Sequence, residues 1–215
     1  MSVKGDFVIS CGSSTAGVNY FLSQDYRAKS IVIQKPGILN VNRFDLVVLP
    51  EHDRGPFTPK SKRIFYTKIT PNLITPEYVK EQASHLSLKF PCLGHKAAVT
   101  VGILWGGDSK KFVLSAALAK KIMDQLKEIV ASLNGRLLLT TSRRTSAETE
   151  GAIKESLKDF SRCPFSIFPK EHNVPEAVGG IFGLSDIIIV SSDSISMVSE
   201  AVSSGKTVIV FKPEP

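Results

Sequence analysis

The amino-acid sequence predicts an α/β protein made of two units, each with a parallel β-sheet. Short β-branched and apolar runs alternate along the chain with helical segments, which is the pattern of βαβ units. Several runs, such as residues 187–190, are almost continuously apolar, as expected of parallel strands that are covered on both faces. The pattern breaks around residues 89–96. We therefore place the boundary between a first unit, residues 1–92, and a second unit, residues 93–215.

The first unit begins directly in a strand. Strands are predicted at residues 7–10, 30–34, 46–49 and 63–67, where β-branched and aromatic residues cluster. A Gly/Ser-rich turn and a short helix follow the first strand. Thr75 as N-cap and Pro76 at the first helical position open a second helix, which ends near residue 88. Because this unit has few elements, we expect its N-terminal part to be truncated.

The second unit shows a clearer alternation of strands and helices. Its predicted strands are residues 97–105, 137–141, 165–168, 187–190 and 208–211. Its predicted helices lie before residue 134 and at 147–157, 174–183 and 194–203. Helical spacing in the first of these predicts a buried stripe, formed by Leu118, Ile122, Leu126, Ile129 and Leu133. The Asn134-Gly135 pair is typical of a helix C-terminus.

Composition excludes several classes of protein. The chain has 215 residues, 42% of them hydrophobic and 22% charged, which is ordinary for a folded globular protein and not for a disordered one. No window approaches the roughly 20 apolar residues that span a bilayer, and we expect no signal or transit peptide. The three cysteines have no paired spacing, which favours a reducing, cytoplasmic compartment without disulfides or a zinc site. The net charge of +7 favours anionic ligands, although solubility alone also explains it.

Three loops of the second unit each follow a predicted strand, and in open parallel sheets ligands bind outside the carboxyl ends of the strands. We therefore expect the three loops to converge at one edge. The first loop contains Gly106, Gly107, Ser109 and Lys110. Two glycines allow close approach of the backbone, and their amides can face an anion. The alternative is a tight turn in which glycine merely fits, and the segment matches neither the dinucleotide fingerprint nor the P-loop.

The second loop carries paired arginines. Ser142, Arg143 and Arg144 supply a hydroxyl and two guanidinium groups, and a guanidinium donates two parallel hydrogen bonds to phosphate oxygens. In the alternative, one arginine extends into solvent and the other neutralises Glu148 or Glu150.

The third loop opens a helix at Asp193, Ser194, Ile195 and Ser196. Unpaired backbone amides and the helix dipole favour phosphate there. Glu200 lies four residues after Ser196, on the same helix face, and its carboxylate is suited to accept hydrogen bonds from the two hydroxyls of a ribose. The alternative is that Asp193 or Ser194 only caps the helix and that Glu200 is solvated. Capping and ligand binding are compatible.

His52 is the candidate catalytic residue. The segment 51–54 follows a strand at the carboxyl edge of the first unit and is expected to face the interdomain cleft. An ordinary histidine pKa of about 6.5 permits a general base acting on an acceptor hydroxyl. The alternative is a loop residue that stabilises its own turn. We expect no metal, because no Asp-x-Asp pair is present to hold a metal-bound diphosphate.

Four sequence strings carry a resemblance to a known family. They are Phe-Asp-Leu-Val-Val-x-Pro-Glu-His-Asp-Arg at 44–54, Gly-Asp-Ser-Lys-x-Phe at 107–112, Leu-Leu-Thr-Thr-Ser-Arg-Arg-Thr at 138–145 and Asp-Ser-Ile-Ser-Met-Val-Ser-Glu-Ala at 193–201. In order and spacing they are similar to motifs of the mitochondrial-fission family named for elongated mitochondria. The resemblance covers about residues 6–211.

That family resembles glycosyltransferases of the B type, which have two Rossmann-like domains. The resemblance implies a glycosyltransferase-B-like fold and a nucleoside-diphosphate sugar bound in the interdomain cleft, with no cofactor. It implies that Ser194, Ile195 and Ser196 hold phosphate, that Glu200 holds the ribose, and that an arginine of the second loop holds the diphosphate.

A second possibility is a non-catalytic interaction protein that acts at a membrane surface and has a membrane or protein partner. It rests on the link of plant members to mitochondrial fission and on the basic segment Lys60-Ser61-Lys62-Arg63. Nucleic acid is not an expected partner, because the sequence has neither interleaved aromatic residues nor a known nucleic-acid-binding motif.

Overall fold

The computed structural model describes residues 5–55, 58–95, 97–108 and 112–213. The chain forms two compact units, Met1–Pro71 and Asn72–Pro215. Each contains a parallel sheet with helices, which confirms the predicted α/β class with Rossmann-like units. None of the helices in the described ranges combines the length and apolar character needed to cross a bilayer.

The first unit is a four-stranded parallel sheet in the order β1-β2-β3-β4. Its elements in chain order are β1 (Phe7–Cys11), α1 (Ser13–Asp25), β2 (Lys29–Ile33), β3 (Leu46–Pro50) and β4 (Ile64–Thr67). Short 3₁₀ turns lie at Val41–Arg43 and Glu51–Asp53. Helix α1 packs on one face of the sheet, where Ala16, Val32, Phe44 and Leu49 are buried. The Asn19 side chain fixes α1 there by donating to the carbonyl oxygens of Val8 and Ile31.

The second unit is a five-stranded parallel sheet in the order β7-β6-β5-β8-β9. Its helices are α2 (Pro76–Lys89), α3 (Ala116–Ser132), α4 (Ala147–Leu157), α5 (Ala177–Leu184) and α6 (Ile195–Ser203). Its strands are β5 (Thr100–Trp105), β6 (Arg136–Thr141), β7 (Phe165–Ile167), β8 (Ile187–Ser191) and β9 (Thr207–Phe211). Helices α3 and α4 pack on one face, and α2, α5 and α6 pack on the other. This is a three-layer α/β/α arrangement.

The position of β5 decides where this sheet can bind a ligand. From β5 the chain passes through β6 to β7 on one side, then returns to β8 and β9 on the other side of β5. The strand order therefore reverses between β5 and β8, and ligands of open parallel sheets bind at such a switch point.

Helix α2 belongs to the second unit, so the chain divides between Pro71 and Asn72 and not between residues 92 and 93 as the sequence pattern predicts. The physical reason is the close packing of α2 against α5. A Cβ added to Gly180 would lie 2.5 Å from Leu86 Cδ2, and one added to Gly183 would lie 2.5 Å from Ala83 Cβ. Glycine on α5 thus permits a helix contact that a larger residue would block.

Candidate functional site

The loops that follow β5, β6 and β8 meet at the carboxyl edge of the second sheet, beside the switch point. Hydrogen bonds join them directly: Gly107 N donates to Asp193 Oδ2 at 3.1 Å, and Arg144 Nη2 donates to the same oxygen at 3.0 Å. The structure therefore brings together the three loops that the sequence predicted to converge.

The Asp193 carboxylate is the centre of this arrangement, which we call the Asp193 junction (Gly106, Gly107, Arg144 and Asp193). The Asp193 side chain has 0% exposure, whereas that of Arg144 is 47% exposed. Asp193 Oδ1 is buried, and it has no hydrogen-bond partner in the described part of the chain. Asp193, predicted to contact ligand, thus lies beneath the surface and holds the loops together.

Gly106 and Gly107 are needed for close packing. A Cβ at Gly106 would lie 2.0 Å from Asp193 Oδ1, and a Cβ at Gly107 would lie 2.2 Å from the carbonyl carbon of Arg144. Their amides also have acceptors within the protein, because Gly106 N donates to Ser191 Oγ at 2.8 Å and Gly107 N to Asp193. The sequence predicts that these two amides are free to face an anion. In the structure they are instead occupied by protein acceptors.

The arginine loop presents its cations in two different ways. Arg143 is exposed, and no ion pair or hydrogen bond of its side chain occurs among the described residues. Arg144 is held by Asp193 and, more weakly, by the carbonyl oxygen of Asp108 at 3.4 Å. Ser142 forms the turn, since its Oγ accepts from Arg144 N at 3.0 Å. Because a guanidinium has five N–H donors, Arg144 keeps donors for a ligand while its position is fixed.

The alternative interpretation, in which one arginine neutralises Glu148 or Glu150, is wrong. Within the described ranges neither arginine pairs with Glu148 or Glu150. Glu150 is buried and accepts from Thr141 Oγ1 at 2.8 Å, so it serves the packing of α4 on β6.

Ser194 is the N-cap of α6, because its Oγ accepts from Met197 N at 3.4 Å. The capping interpretation of Ser194 is therefore confirmed. Ile195 and Ser196 are exposed at the first two helical positions, and in the described structure their backbone amides have no protein acceptor. The first amides of a helix lack intrahelical acceptors and attract anions.

Glu200 lies on α6, on the same face as Ser196 and half-buried. Burial raises the pKa of its carboxyl above the ordinary value. No cation or hydrogen-bond donor of the described residues pairs with this carboxylate. It is consequently a partly desolvated acceptor without a partner, and not a fully solvated surface acid.

Two predicted site residues, Ser109 and Lys110, lie outside the described residues. His52 belongs to the first unit, where it is exposed in the 3₁₀ turn after β3. This turn directly follows a strand, as predicted.

Sequence reasoning missed residues that support the loops. Ser191 ends β8 and accepts from Gly106 N. Thr145 is fully buried, donates to the carbonyl oxygen of Gly106 and accepts from Ser142 N. Lys170 Nζ donates to the carbonyl oxygen of Thr145. A hydroxyl residue at a strand end could have suggested Ser191. Thr145 lies in the turn between β6 and α4, and Lys170 lies in a distant loop, so neither had such a signal.

Comparison with known proteins gives consistent matches along the chain. The family model described as "Mitochondrial fission ELM1" matches residues 3–215. The chain is 28% identical over 223 residues to the mitochondrial fission protein ELM1 of Arabidopsis thaliana, which covers 94% of this chain and 50% of that protein. It is also 28% identical over 239 residues to an uncharacterised protein of Rickettsia prowazekii (strain Madrid E), which covers 97% of this chain and 65% of that protein. The chain thus spans half to about two thirds of these relatives.

Proposed function

This chain belongs to the mitochondrial fission ELM1 family, and we propose that it is a glycosyltransferase-like protein that binds a nucleoside-diphosphate sugar at the carboxyl edge of its second sheet. One observation carries the proposal. A buried carboxylate, Asp193, fixes a half-exposed arginine, Arg144, in the loop next to a helix whose first amides have no acceptor. These features meet at the strand-order reversal, where parallel sheets bind nucleotides.

The diphosphate accounts for the positive groups at this edge. The amides of Ile195 and Ser196 and the dipole of α6 would receive one phosphate. The free donors of Arg144, with Arg143 nearby in sequence, would receive the remaining charge through paired hydrogen bonds. Because Asp193 already orders Arg144, binding loses less side-chain entropy than it would with a free arginine.

The ribose accounts for Glu200. A half-buried carboxylate without a donor is costly, and two sugar hydroxyls would supply the missing donors. Glu200 shares a face of α6 with Ser196, one helical turn earlier. A ribose held by Glu200 would therefore lie close to a phosphate held at the amide of Ser196. A carboxylate at this position suits a sugar and does not suit a phosphate.

Isothermal titration with a panel of UDP-, GDP- and ADP-sugars tests donor binding. We expect micromolar binding of at least one sugar nucleotide, weakened about tenfold or more by Glu200→Gln, because a charge-assisted hydrogen-bond pair is lost. Glu128→Gln is the matched control, since Glu128 is exposed on α3, and it should leave binding unchanged. Absence of heat with every sugar, well above micromolar concentrations, would contradict the proposal.

We assign His52 the role of general base on the acceptor hydroxyl, supported by its exposure directly after β3 and by the chemistry of histidine. His52→Gln should abolish transfer of a radiolabelled sugar to acceptors in a membrane and cytosol extract while donor affinity stays unchanged. A variant that transfers sugar at the parental rate would remove His52 from the mechanism.

A second candidate function is a non-catalytic interaction at a membrane surface. The observation in its favour is that Lys60 and Lys62 are exposed and form no ion pair among the described residues. Arg63 does not contribute a free cation, because its Nη1 donates to the carbonyl oxygens of Asn42 and Phe44, both at 2.9 Å. Co-sedimentation with phosphatidylserine liposomes, which should fall with added salt, distinguishes this candidate from donor binding.

A further inference from the structure

The first unit contains a concave basic surface that the sugar-nucleotide site does not use. Its cavity has a volume of about 490 Å³ and is lined by Arg54, Gly55, Thr58, Pro59, Lys60, Ser61, Lys62 and Tyr66. We call this the basic pocket. Of the lining residues that the structure describes, three are cationic and none is acidic. A volume of this size lies within the range of about 300–1,000 Å³ that holds small ligands.

The three cations are not neutralised within the described ranges. Arg54, Lys60 and Lys62 form no ion pair there, although Asp53 lies next to Arg54 in sequence. Asp53 does not neutralise Arg54; its Oδ1 is instead paired with Lys35 Nζ at 3.7 Å. Like charges gathered around one cavity repel each other, and this repulsion is relieved when an anion enters.

Two features order the pocket before any ligand binds. The Arg54 guanidinium carbon lies 5.0 Å from the centre of the Tyr66 ring, a cation–π arrangement that orients the guanidinium. Two hydrogen bonds join Gly55 and Thr58: Gly55 N donates to Thr58 Oγ1 at 2.9 Å, and Thr58 N donates to Gly55 O at 3.0 Å. The pocket thus combines a fixed planar fork with two mobile point charges, which suits multiply charged oxyanions.

The neighbouring Arg63 is not one of the cations of the basic pocket. Its guanidinium is bonded to the carbonyl oxygens of Asn42 and Phe44, and it does not line the cavity. Ser61, between the two lysines, is likewise engaged, because its Oγ donates to Asn42 Oδ1 at 2.9 Å. These bonds fix the backbone from which Lys60 and Lys62 extend.

We propose that the basic pocket binds a phosphate-bearing polyanion, either a free phosphorylated molecule or the phosphomonoester headgroup of a lipid. The shared chemistry is a terminal phosphate with more than one negative charge. This site is independent of the sugar-nucleotide site, which lies in the second unit, and a failure of either proposal leaves the other standing.

Amide NMR of the isotope-labelled full chain tests the pocket, with inorganic pyrophosphate as the probe. Saturable shifts are expected at the amides of Thr58, Ser61 and Lys62. Any binding at the start of α6 would instead shift Ile195 and Ser196, so the two sites are read separately in one titration. The pocket shifts should require about tenfold or more pyrophosphate in Lys60→Gln/Lys62→Gln, because two charge-assisted contacts are lost.

The matched control is Lys68→Gln/Lys121→Gln, which removes the same charge from exposed residues that do not line the basic pocket. It should leave the pocket titration unchanged within about twofold, because solvent-exposed charges outside the cavity act on a bound anion through water and are weakened by salt. The proposal is overturned if pyrophosphate produces no saturable shifts at the pocket amides. It is equally overturned if the control weakens binding as much as the pocket variant, because binding would then reflect net charge alone.

A second arm distinguishes the two sources of phosphate once the pyrophosphate shifts are seen. The full chain is sedimented with phosphatidylcholine vesicles that contain phosphatidylinositol 4-phosphate, and with phosphatidylserine vesicles of matched surface charge. Preference for the phosphomonoester vesicles, lost in the pocket variant and kept in the control, assigns the pocket to a lipid headgroup. Equal or no sedimentation assigns it to a soluble phosphorylated molecule. Vesicle binding that survives in the pocket variant would overturn the lipid assignment.

Discussion

Replacement of Asp193 by alanine removes one oxygen that accepts two hydrogen bonds, from Gly107 N at 3.1 Å and from Arg144 Nη2 at 3.0 Å. The Gly107 amide is left without its acceptor, which costs about 1–3 kcal/mol. Loss of the charge-assisted bond adds about 1–2 kcal/mol, toward the lower end because Arg144 is half-exposed and regains water. Alanine also removes the cost of burying a carboxylate. We therefore expect a net loss of about 2–3 kcal/mol in the free energy of unfolding of the second unit.

Urea unfolding followed by tryptophan fluorescence measures this loss where it occurs. Trp105 is the single tryptophan of the chain and is fully buried at the end of β5, next to Gly106. It therefore reports on the second unit. With a urea dependence of about 1–3 kcal/mol per molar, the midpoint should fall by about 1 M. Asp193→Asn keeps an oxygen acceptor and loses only the charge, so its midpoint should lie between those of Asp193→Ala and the unsubstituted chain.

A double-mutant cycle separates the ion pair from the packing around it. Arg144→Gln alone leaves a buried carboxylate without its cation, whereas Asp193→Ala/Arg144→Gln removes both charges. The double variant should lose less than the sum of the single losses, by about 1 kcal/mol or more. Additive losses would refute the role given to the Asp193 junction. A urea midpoint of Asp193→Ala equal to that of the unsubstituted chain would refute it as well.

Three further outcomes follow from particular contacts. Gly180→Ala should lower the free energy of unfolding by about 1–3 kcal/mol in the same fluorescence assay, because the added Cβ lies 2.5 Å from a leucine of α2. In the control Gly151→Ala the added Cβ meets no atom within 4 Å, so this variant should be neutral or stabilising. Equal effects would contradict the close-packing explanation. Burial raises the pKa of Cys163 to about 12, so at pH 8 this thiol should react with a disulfide reagent far more slowly than the exposed Cys11, and equal rates would refute it. Burial also raises the pKa of Glu200 in the folded state, so the folded chain is more stable when Glu200 is protonated than when it is ionised. This stabilisation is fully present below the pKa of the unfolded chain and is lost as pH rises through the pKa of the folded chain. Without ligand, Glu200→Gln should consequently be the more stable form at pH 7 and lose its advantage near pH 4; the reverse order would show that Glu200 has a partner in the folded chain.

The sequence pattern predicts the elements of this fold well because parallel strands covered by helices are continuous apolar runs. All of β1 to β9 coincide with predicted strands. The buried side of α3 was predicted only in part: Leu126 is buried, and Leu118 and Ile122 pack against the core. Its fully or nearly fully buried residues are Ala119, Met123, Leu126 and Val130, whereas Ile129 and Leu133 are about half-exposed. Two adjacent rows of the helix are both apolar, and hydrophobicity alone does not decide which row faces the sheet.

The unit boundary depended on a contact that is distant in sequence. Residues 72–92 follow a loop-rich stretch and read as the end of the first unit, yet α2 packs on α5, about 100 residues away. The close approach depends on where Gly180 and Gly183 meet α2. In the sequence these glycines only weaken a short helix, and their packing role becomes visible when the partner helix is known.

For the site, sequence reasoning predicted that the three loops converge but did not predict the contacts that Asp193 and the glycines make within the protein. A parallel sheet brings the carboxyl ends of its strands to one edge, so the convergence of Gly107, Arg144 and Asp193 was predictable. The burial of the Asp193 side chain within that edge was not predictable. Asp193 follows a strand and precedes a helix, and the same position would equally suit a solvent-facing cap. Only the packing of Gly106 against its carboxylate places it beneath the surface.

This division of tasks explains how a small loop can hold an arginine side chain in a fixed position. An arginine on a free loop would lose side-chain entropy on binding, whereas Arg144 is already held by a carboxylate with no exposed surface. Asp193 can reach that position because Gly106 has no side chain to exclude it. The glycines position the arginine through their close packing, whereas their own amides already have acceptors. Among the described residues of this edge, the guanidinium groups of Arg143 and Arg144 and the first amides of α6 therefore keep donors that no protein acceptor occupies.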